Sequence, residues 1–246
     1  MNPRPEAVLL DIEGTTSALA HVRDVLFPYA RTQIAPWMTA YHHTEQGRQI
    51  LHAIRTSLGD LQLGPTEAIA QLEEWADTDT KAAPLKTLQG HIWAAGYAAG
   101  QLTGHVYPDV PPALAAWREQ GIARYIYSSG SAAAQRDWFA HTAHGDLTLL
   151  LDGHFDLTSA GPKHDPASYL RIARAIKTPA ALVLFASDSG EELDAAATAG
   201  LQTLAVRRPD DPRPAPADHR LLTSLTPLIG PGTQPGARMP AEGSRP

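Results

Sequence analysis

Two carboxylates near the start of the chain could do chemistry. In AVLLDIEGTTSALAHV (residues 7–22) an apolar run stops at Asp11, and Glu13 follows two positions later. A short buried strand that ends in an acid sets that acid at a strand end, where open α/β sheets place their ligands. Gly14, Thr15 and Thr16 then break the pattern. Three more features close other predicted strands or sit in the loops after them: Ser128 in SSGS, Lys163 in TSAGPKHDP and Asp188 in FASDSGEELD. Each alone has a plain structural reading. A strand-end Asp caps the next helix, SSGS is a turn with a cap, and a lone Lys is a solvated surface residue. Together they are the parts of a phosphoryl-transfer site. A carboxylate can take the phosphoryl group as an aspartyl-phosphate, which splits one hard step into two. Asp11 and Asp188 offer the oxygen ligands that Mg²⁺ prefers. The Ser128 hydroxyl and the Lys163 ammonium can hold the other phosphate oxygens. Glu13, two residues along an extended strand, would share a face with Asp11. It can protonate the leaving oxygen and then activate water.

The elements that must hold these residues are few. Strands are predicted at 7–10 (AVLL), 122–128 (IARYIYS), 181–187 (ALVLFAS) and 201–206 (LQTLAV). Amphipathic helices separate the last three: ALAAWREQ ending at Gly121, AAAQRDWFAHTA after Gly130, PASYLRIARAI ending near Lys177, and GEELDAAATAG with Gly200 as its C′ residue. Alternating strands and helices imply βαβ units and a parallel sheet. Residues 18–105 break the alternation with helical spacing and no convincing strand. The expected fold class is therefore α/β, a Rossmann-like parallel-sheet core (1–17 and 106–229) with an inserted all-helical cap domain (18–105). The segment from Arg207 onward is Pro-rich. Residues 230–246 have almost no aliphatic side chains and read as a disordered tail.

Composition removes several function classes. The chain has 246 residues, 43% hydrophobic and 19% charged, with a net charge of −6. That length supports a sizeable core without staples, and neither the charge nor any basic cluster points to nucleic acid. With no Cys, disulfides, thiolate zinc sites and a catalytic thiol are excluded. No stretch is long and apolar enough to span a membrane, and the N-terminal apolar run is too short for a signal peptide. The expectation is a soluble cytoplasmic protein with neither a membrane nor a nucleic-acid partner.

The order Asp, Ser, Lys, Asp resembles the haloacid-dehalogenase superfamily of phosphohydrolases. The longer strings DIEGTT (11–16), VRDVLFPYA (22–30), LQGHIWAAGYAAGQLTGHVYPDV (88–110), YSSGS (127–131), GDLTLLLDGHFDLTSAGPKHDPASY (145–169) and SDSGEELDAAATAG (187–200) are similar to its enolase-phosphatase (acireductone synthase) family of methionine salvage. The resemblance covers residues 7 to about 206. It implies Mg²⁺ held by Asp11, the backbone carbonyl of Glu13 and Asp188. It implies Ser128, Ser129 and Lys163 around the substrate phosphate. The implied substrate is 2,3-diketo-5-methylthiopentyl 1-phosphate, a small phosphate ester, and the implied products are an acireductone and phosphate. Enolisation and then phosphate hydrolysis are implied in one site, in a monomer. In SDSGEELD this chain has Ser-Gly where bulkier residues are usual.

Other conspicuous residues have two readings. Glu192, at i+4 from Asp188, can reach a metal-bound water or be an exposed helix acid. Trp93 and Tyr97 can contact a methylthio group, but core packing is the simpler reading. His105 and Tyr107 read as packing where the insertion rejoins the core. His42, His43 and His52 lack ligand spacing to a carboxylate. Three rival functions share the chemistry: a capped phosphatase for another ester, a phospho-accepting signalling receiver, and a metal-free dehalogenase.

Overall fold

The computed structural model describes residues 3–216 and 218–228; the segment 230–246, read above as a tail, lies outside them. The described residues divide into two compact units, one drawn from 3–18, 106–135, 147–216 and 218–228, the other from 19–105 and 136–146.

The first unit is built on a six-stranded sheet: β1 (Ala7–Leu10), β2 (Ala123–Tyr127), β3 (Gly153–Phe155), β4 (Val183–Ser187), β5 (Gln202–Val206) and β6 (Leu221–Leu222). All pairings are parallel, in the order β3-β2-β1-β4-β5-β6. β1 and β4 are buried along their whole length, as expected for parallel strands covered on both faces, and that is why they read as unbroken apolar runs. Leu10 pairs with Ile126 on one side and Ala186 on the other. The strand order reverses between β1 and β4, the switch point at which such sheets open a crevice beyond their carboxyl ends. The four predicted strands correspond to β1, β2, β4 and β5. β3 and β6 carry no apolar run to announce them, with only three and two residues.

Helices Pro166–Ala175 and Gly190–Thr198 position the chemistry. The first starts with Asp165 accepting from Ala167 N at 2.9 Å, followed by Pro at the first helical position. The second starts with Ser189 as N-cap. It ends as the sequence implies: Gly200 has φ +86°, Gly200 N bonds Ala197 O, and Leu201 N bonds Ala196 O. Tyr127, Tyr169, Phe185, Leu9, Leu193 and Val183 share one buried apolar cluster beneath these elements.

The second unit is helical. Leu19–His21 runs into a π-helical turn, Val22–Leu26, and then into Phe27–Tyr41; Glu45–Leu58, Pro65–Asp77 and Ala83–Ala98 follow. Ile34 and Met38, Ile50 and Ile54, Ala68 and Leu72, and Leu88 and Ile92 each stand four apart, and together they form one buried cluster. Residues 136–146, placed in the core by the sequence reading, cluster with this unit. Local bonds explain it. Trp138 Nε1 donates to His105 O at 2.8 Å, Gly104 N donates to His141 O at 2.8 Å, and Tyr97 stacks on His141 at 5.4 Å. Trp93 donates from Nε1 to Leu26 O at 2.9 Å and stacks near Phe27, and Tyr97 is buried, as the packing reading expects.

Candidate active site

β1 hands its last ladder bond to Asp11, whose N–H donates to Ala186 O at 3.0 Å. The chain then turns. Ile12 O accepts from Thr15 N, Thr16 N and Ser17 N at 3.2, 3.0 and 2.8 Å. Glu13 therefore does not lie on an extended strand, and the two-residue alternation does not set its direction. A turn this tight needs a left-handed residue, and Gly14 supplies it with φ +73°. A Cβ on Gly14 would overlap the Asp188 carboxylate, so glycine also permits the approach of loop and acid. Glu13 is half-buried and bridges to Ser17.

Asp11 is 5% exposed. Its Oδ1 accepts from Lys163 Nζ at 2.5 Å, its Oδ2 faces Thr15 Oγ1 at 3.5 Å, and its carbonyl accepts from Thr16 Oγ1 at 2.9 Å. Lys163 lies in the loop between β3 and helix Pro166–Ala175. Tyr169 OH, on that helix, donates to the Lys163 carbonyl at 2.6 Å and so fixes the loop. The ammonium bonds Glu192 Oε2 at 2.7 Å as well as Asp11. Burial works against its charge, but the two carboxylates overcome it and hold Lys163 above the ordinary lysine range.

Glu192 is not an exposed helix acid. Ser187, wholly buried at the end of β4, donates from Oγ to Glu192 Oε2 at 2.9 Å. Burial and the nearby Asp11 charge push the Glu192 carboxyl up to about 7, against the pull of Lys163 and Ser187. Asp188 is 7% exposed. Burial and Asp11 raise its pKa, while Arg213, which pairs with its Oδ2, opposes the rise. Arg213 also bonds Asp211 at 2.7 Å, and Asp211 pairs with Arg207.

Ser128 is buried just past β2, one strand from Asp11; its N donates to Phe155 O at 3.2 Å and its Oγ accepts from Gly130 N at 3.4 Å. Ser129 is exposed. In the same string Ser131 accepts from Ala134 N at 3.2 Å, so part of SSGS is the turn-and-cap motif. The structure thus brings Asp11, Lys163 and Asp188 together and adds Glu192. It sets Glu13, Ser128 and Ser129 on the adjoining strand-end loops. Thr15, Ser187 and Arg213 were not among the residues singled out. Ser187 and Thr15 adjoin motif residues, but Arg213 stands in an aperiodic Pro-rich run that carries no such signal.

The haloacid dehalogenase-like hydrolase family model matches residues 5–200. The enolase-phosphatase E1 of Frankia alni is 48% identical over 226 residues, covering 91% of this chain and 96% of that protein. The chain belongs to the enolase-phosphatase E1 family. The enolase-phosphatase E1 of Pseudomonas syringae is 46% identical across 93% of this chain and 98% of that protein. The crystal structure of the UTR4 protein of Saccharomyces cerevisiae superposes with a TM-score of 0.76 at 31% identity, covering 90% of this chain and 98% of that one. The family is one of hydrolases with this α/β fold, and membership sets aside the signalling-receiver and dehalogenase readings. Among the described residues no helix is long and apolar enough to cross a membrane.

Proposed function

We propose that this enolase-phosphatase converts 2,3-diketo-5-methylthiopentyl 1-phosphate into an acireductone and inorganic phosphate, by enolisation and then hydrolysis through an aspartyl-phosphate. One observation carries the assignment of the reacting group: Asp11, buried at the end of β1, is held by Lys163 at 2.5 Å beside Asp188 at the switch point of the sheet.

In the hydrolysis, Asp11 attacks phosphorus and the bond from phosphorus to the ester oxygen breaks. Glu13 gives its proton to that oxygen. Glu13 then takes a proton from the water that attacks the aspartyl-phosphate, which releases phosphate and restores Asp11. Lys163, Ser128 and Ser129 hold the phosphate oxygens, with the ammonium offsetting charge in the transition state. In the enolisation, Glu13 is the candidate base for the proton on the carbon that bears the ester.

The donor set suits Mg²⁺. Asp11 and Asp188 are buried close enough for one to raise the pKa of the other, and the backbone at Gly14 packs directly against the Asp188 carboxylate. Among the described residues no three His, Asp or Glu side chains form a metal cluster. Two carboxylates, the Glu13 carbonyl and retained waters would hold the ion, an all-oxygen set of the kind this cation takes. Such an ion would neutralise phosphate charge and polarise a substrate oxygen as a Lewis acid. The helical segment 18–105 takes the role of cap, and the protein acts as a cytoplasmic monomer.

Phosphate release from the diketo ester, with and without Mg²⁺, tests the reaction. Asp11→Asn tests the nucleophile: release should fall at least about a thousandfold. In D₂O the variant should still exchange the proton at the ester-bearing carbon, followed by NMR. Near-normal release by folded Asp11→Asn would overturn the assignment of Asp11.

A further inference from the structure

The turn after Asp11 is gripped from behind by a single buried arginine. Arg208, two residues beyond β5, is 2% exposed. Its Nε donates to the Thr15 carbonyl at 2.7 Å. Its Nη1 donates to both oxygens of Asp109, at 2.9 and 2.8 Å, and Asp109 Oδ2 also accepts from Leu225 N at 2.6 Å. Tyr107 lies over the guanidinium, with its ring centroid 4.2 Å from Cζ. The Tyr107 N–H donates to the neighbouring Thr16 carbonyl at 3.0 Å, and its hydroxyl bonds Asp210 at 2.7 Å. The carbonyls of Thr15 and Thr16 are thus both held by distant parts of the chain. The Thr15 hydroxyl faces Asp11 Oδ2, and the Thr16 hydroxyl bonds the Asp11 carbonyl.

We propose that Arg208 is a positioning residue for phosphoryl transfer. It ties the Thr15 carbonyl to the half-buried Asp109 carboxylate and so fixes the turn that aims Asp11 and Glu13. The inference rests on the reading of Asp11 as nucleophile. The reasoning is geometric. A guanidinium is a rigid planar fork that serves two acceptors at a set angle; an ammonium is a point charge on a flexible stem. Stability alone is a poor reason to bury this group. A buried ion pair is often no more stable than a well-packed apolar replacement, and Arg208 Nη2 is buried without a hydrogen-bond partner among the described residues. What the arrangement supplies is a fixed backbone at the residues that must meet phosphorus in line, where a small displacement is expensive in rate.

Arg208→Lys keeps a positive charge for Asp109 but gives up the second, angled bond to Thr15. Its kcat should fall about 10- to 100-fold. KM should stay within about threefold, because the phosphate-binding groups are untouched. The double variant Arg208→Gln/Asp109→Asn removes both paired charges together and guards against a single variant that does not fold; it should show the same loss in kcat with little change in KM. Rates are taken per folded molecule, with the folded fraction read from thermal melts. An unchanged kcat in either folded variant would overturn the proposal, and so would a loss of activity that only tracks the folded fraction. Asp11→Asn is run alongside. If it loses phosphate release while Arg208→Lys keeps it, the positioning role alone fails. If it keeps release, the nucleophile assignment fails.

Discussion

In the sheet unit, Asp11, Arg124, Lys163, Asp188 and Arg208 are all buried; among the described residues of the helical unit no charged side chain is buried. Charges in the helical unit stay near the surface, as where Arg31 meets Glu73 and Asp77 at 3.0 and 2.7 Å. The helical unit is the simpler physical object, since packing its apolar stripes against one another is enough to hold it. The sheet unit hides charge, which is costly unless each group is paired and hydrogen-bonded. It meets that cost at the strand ends, where loops anchored by the ladder bring Lys163 between Asp11 and Glu192. The contrast separates a part held by apolar packing from a part that buries charge at the strand ends, where the candidate site lies.

Three substitutions would break or sharpen that contrast. The largest effect is expected from Lys163→Met, which keeps the stem and removes the charge. Phosphate release should fall about 10²- to 10³-fold. Because Asp11 and Glu192 would then face each other unpaired, unfolding stability should also drop, by about 3–5 kcal/mol. Denaturant titration and steady-state kinetics check the two halves, and a variant with wild-type turnover would remove Lys163 from the site.

Leu88→Ala, in the helical unit, should behave in the opposite way. Leu88 is wholly buried, so the truncation should cost about 2–5 kcal/mol in unfolding stability. The chemistry per folded molecule at saturating substrate should stay close to wild type. A large loss in kcat from the folded variant would show that the two units do not divide stability and chemistry as described.

The smallest effect concerns pH. The Glu192 carboxyl is raised from the ordinary 4.5 to about 7. A carboxyl raised on folding favours the folded state while it is protonated. Its contribution is complete below pH 4.5 and is lost as pH rises through about 7. Wild type should therefore lose stability across that window relative to Glu192→Gln, whose melting profile should be flatter. Parallel profiles would mean that Lys163 and Ser187 hold Glu192 ionised throughout.

Much of this was legible in the residues. Apolar runs marked the four longer strands, because a parallel strand buried on both faces must be apolar throughout. Helical periodicity marked the insertion after β1. Acids and a serine standing just past those runs pointed to the candidate site, because a strand end is where a polar group can be exposed to a ligand. Gly200 marked a helix end, because few other residues adopt that backbone conformation at so little cost. The direction of Glu13 was not legible. The ladder ends at Asp11, and a turn closed on Ile12 O replaces the strand geometry assumed from spacing. Nor was the company of Glu192, since its spacing from Asp188 leaves both an exposed and a buried acid open, and only the placement of the Lys163 loop decides between them. The grip of Arg208 on Thr15 spans 193 positions, and the pairing of Arg213 with Asp188 spans 25. Local pattern sets which segments become strand or helix, because propensity and burial act within a few residues. Which charge meets which partner across the sheet is set only when the tertiary fold brings distant loops to the same strand ends.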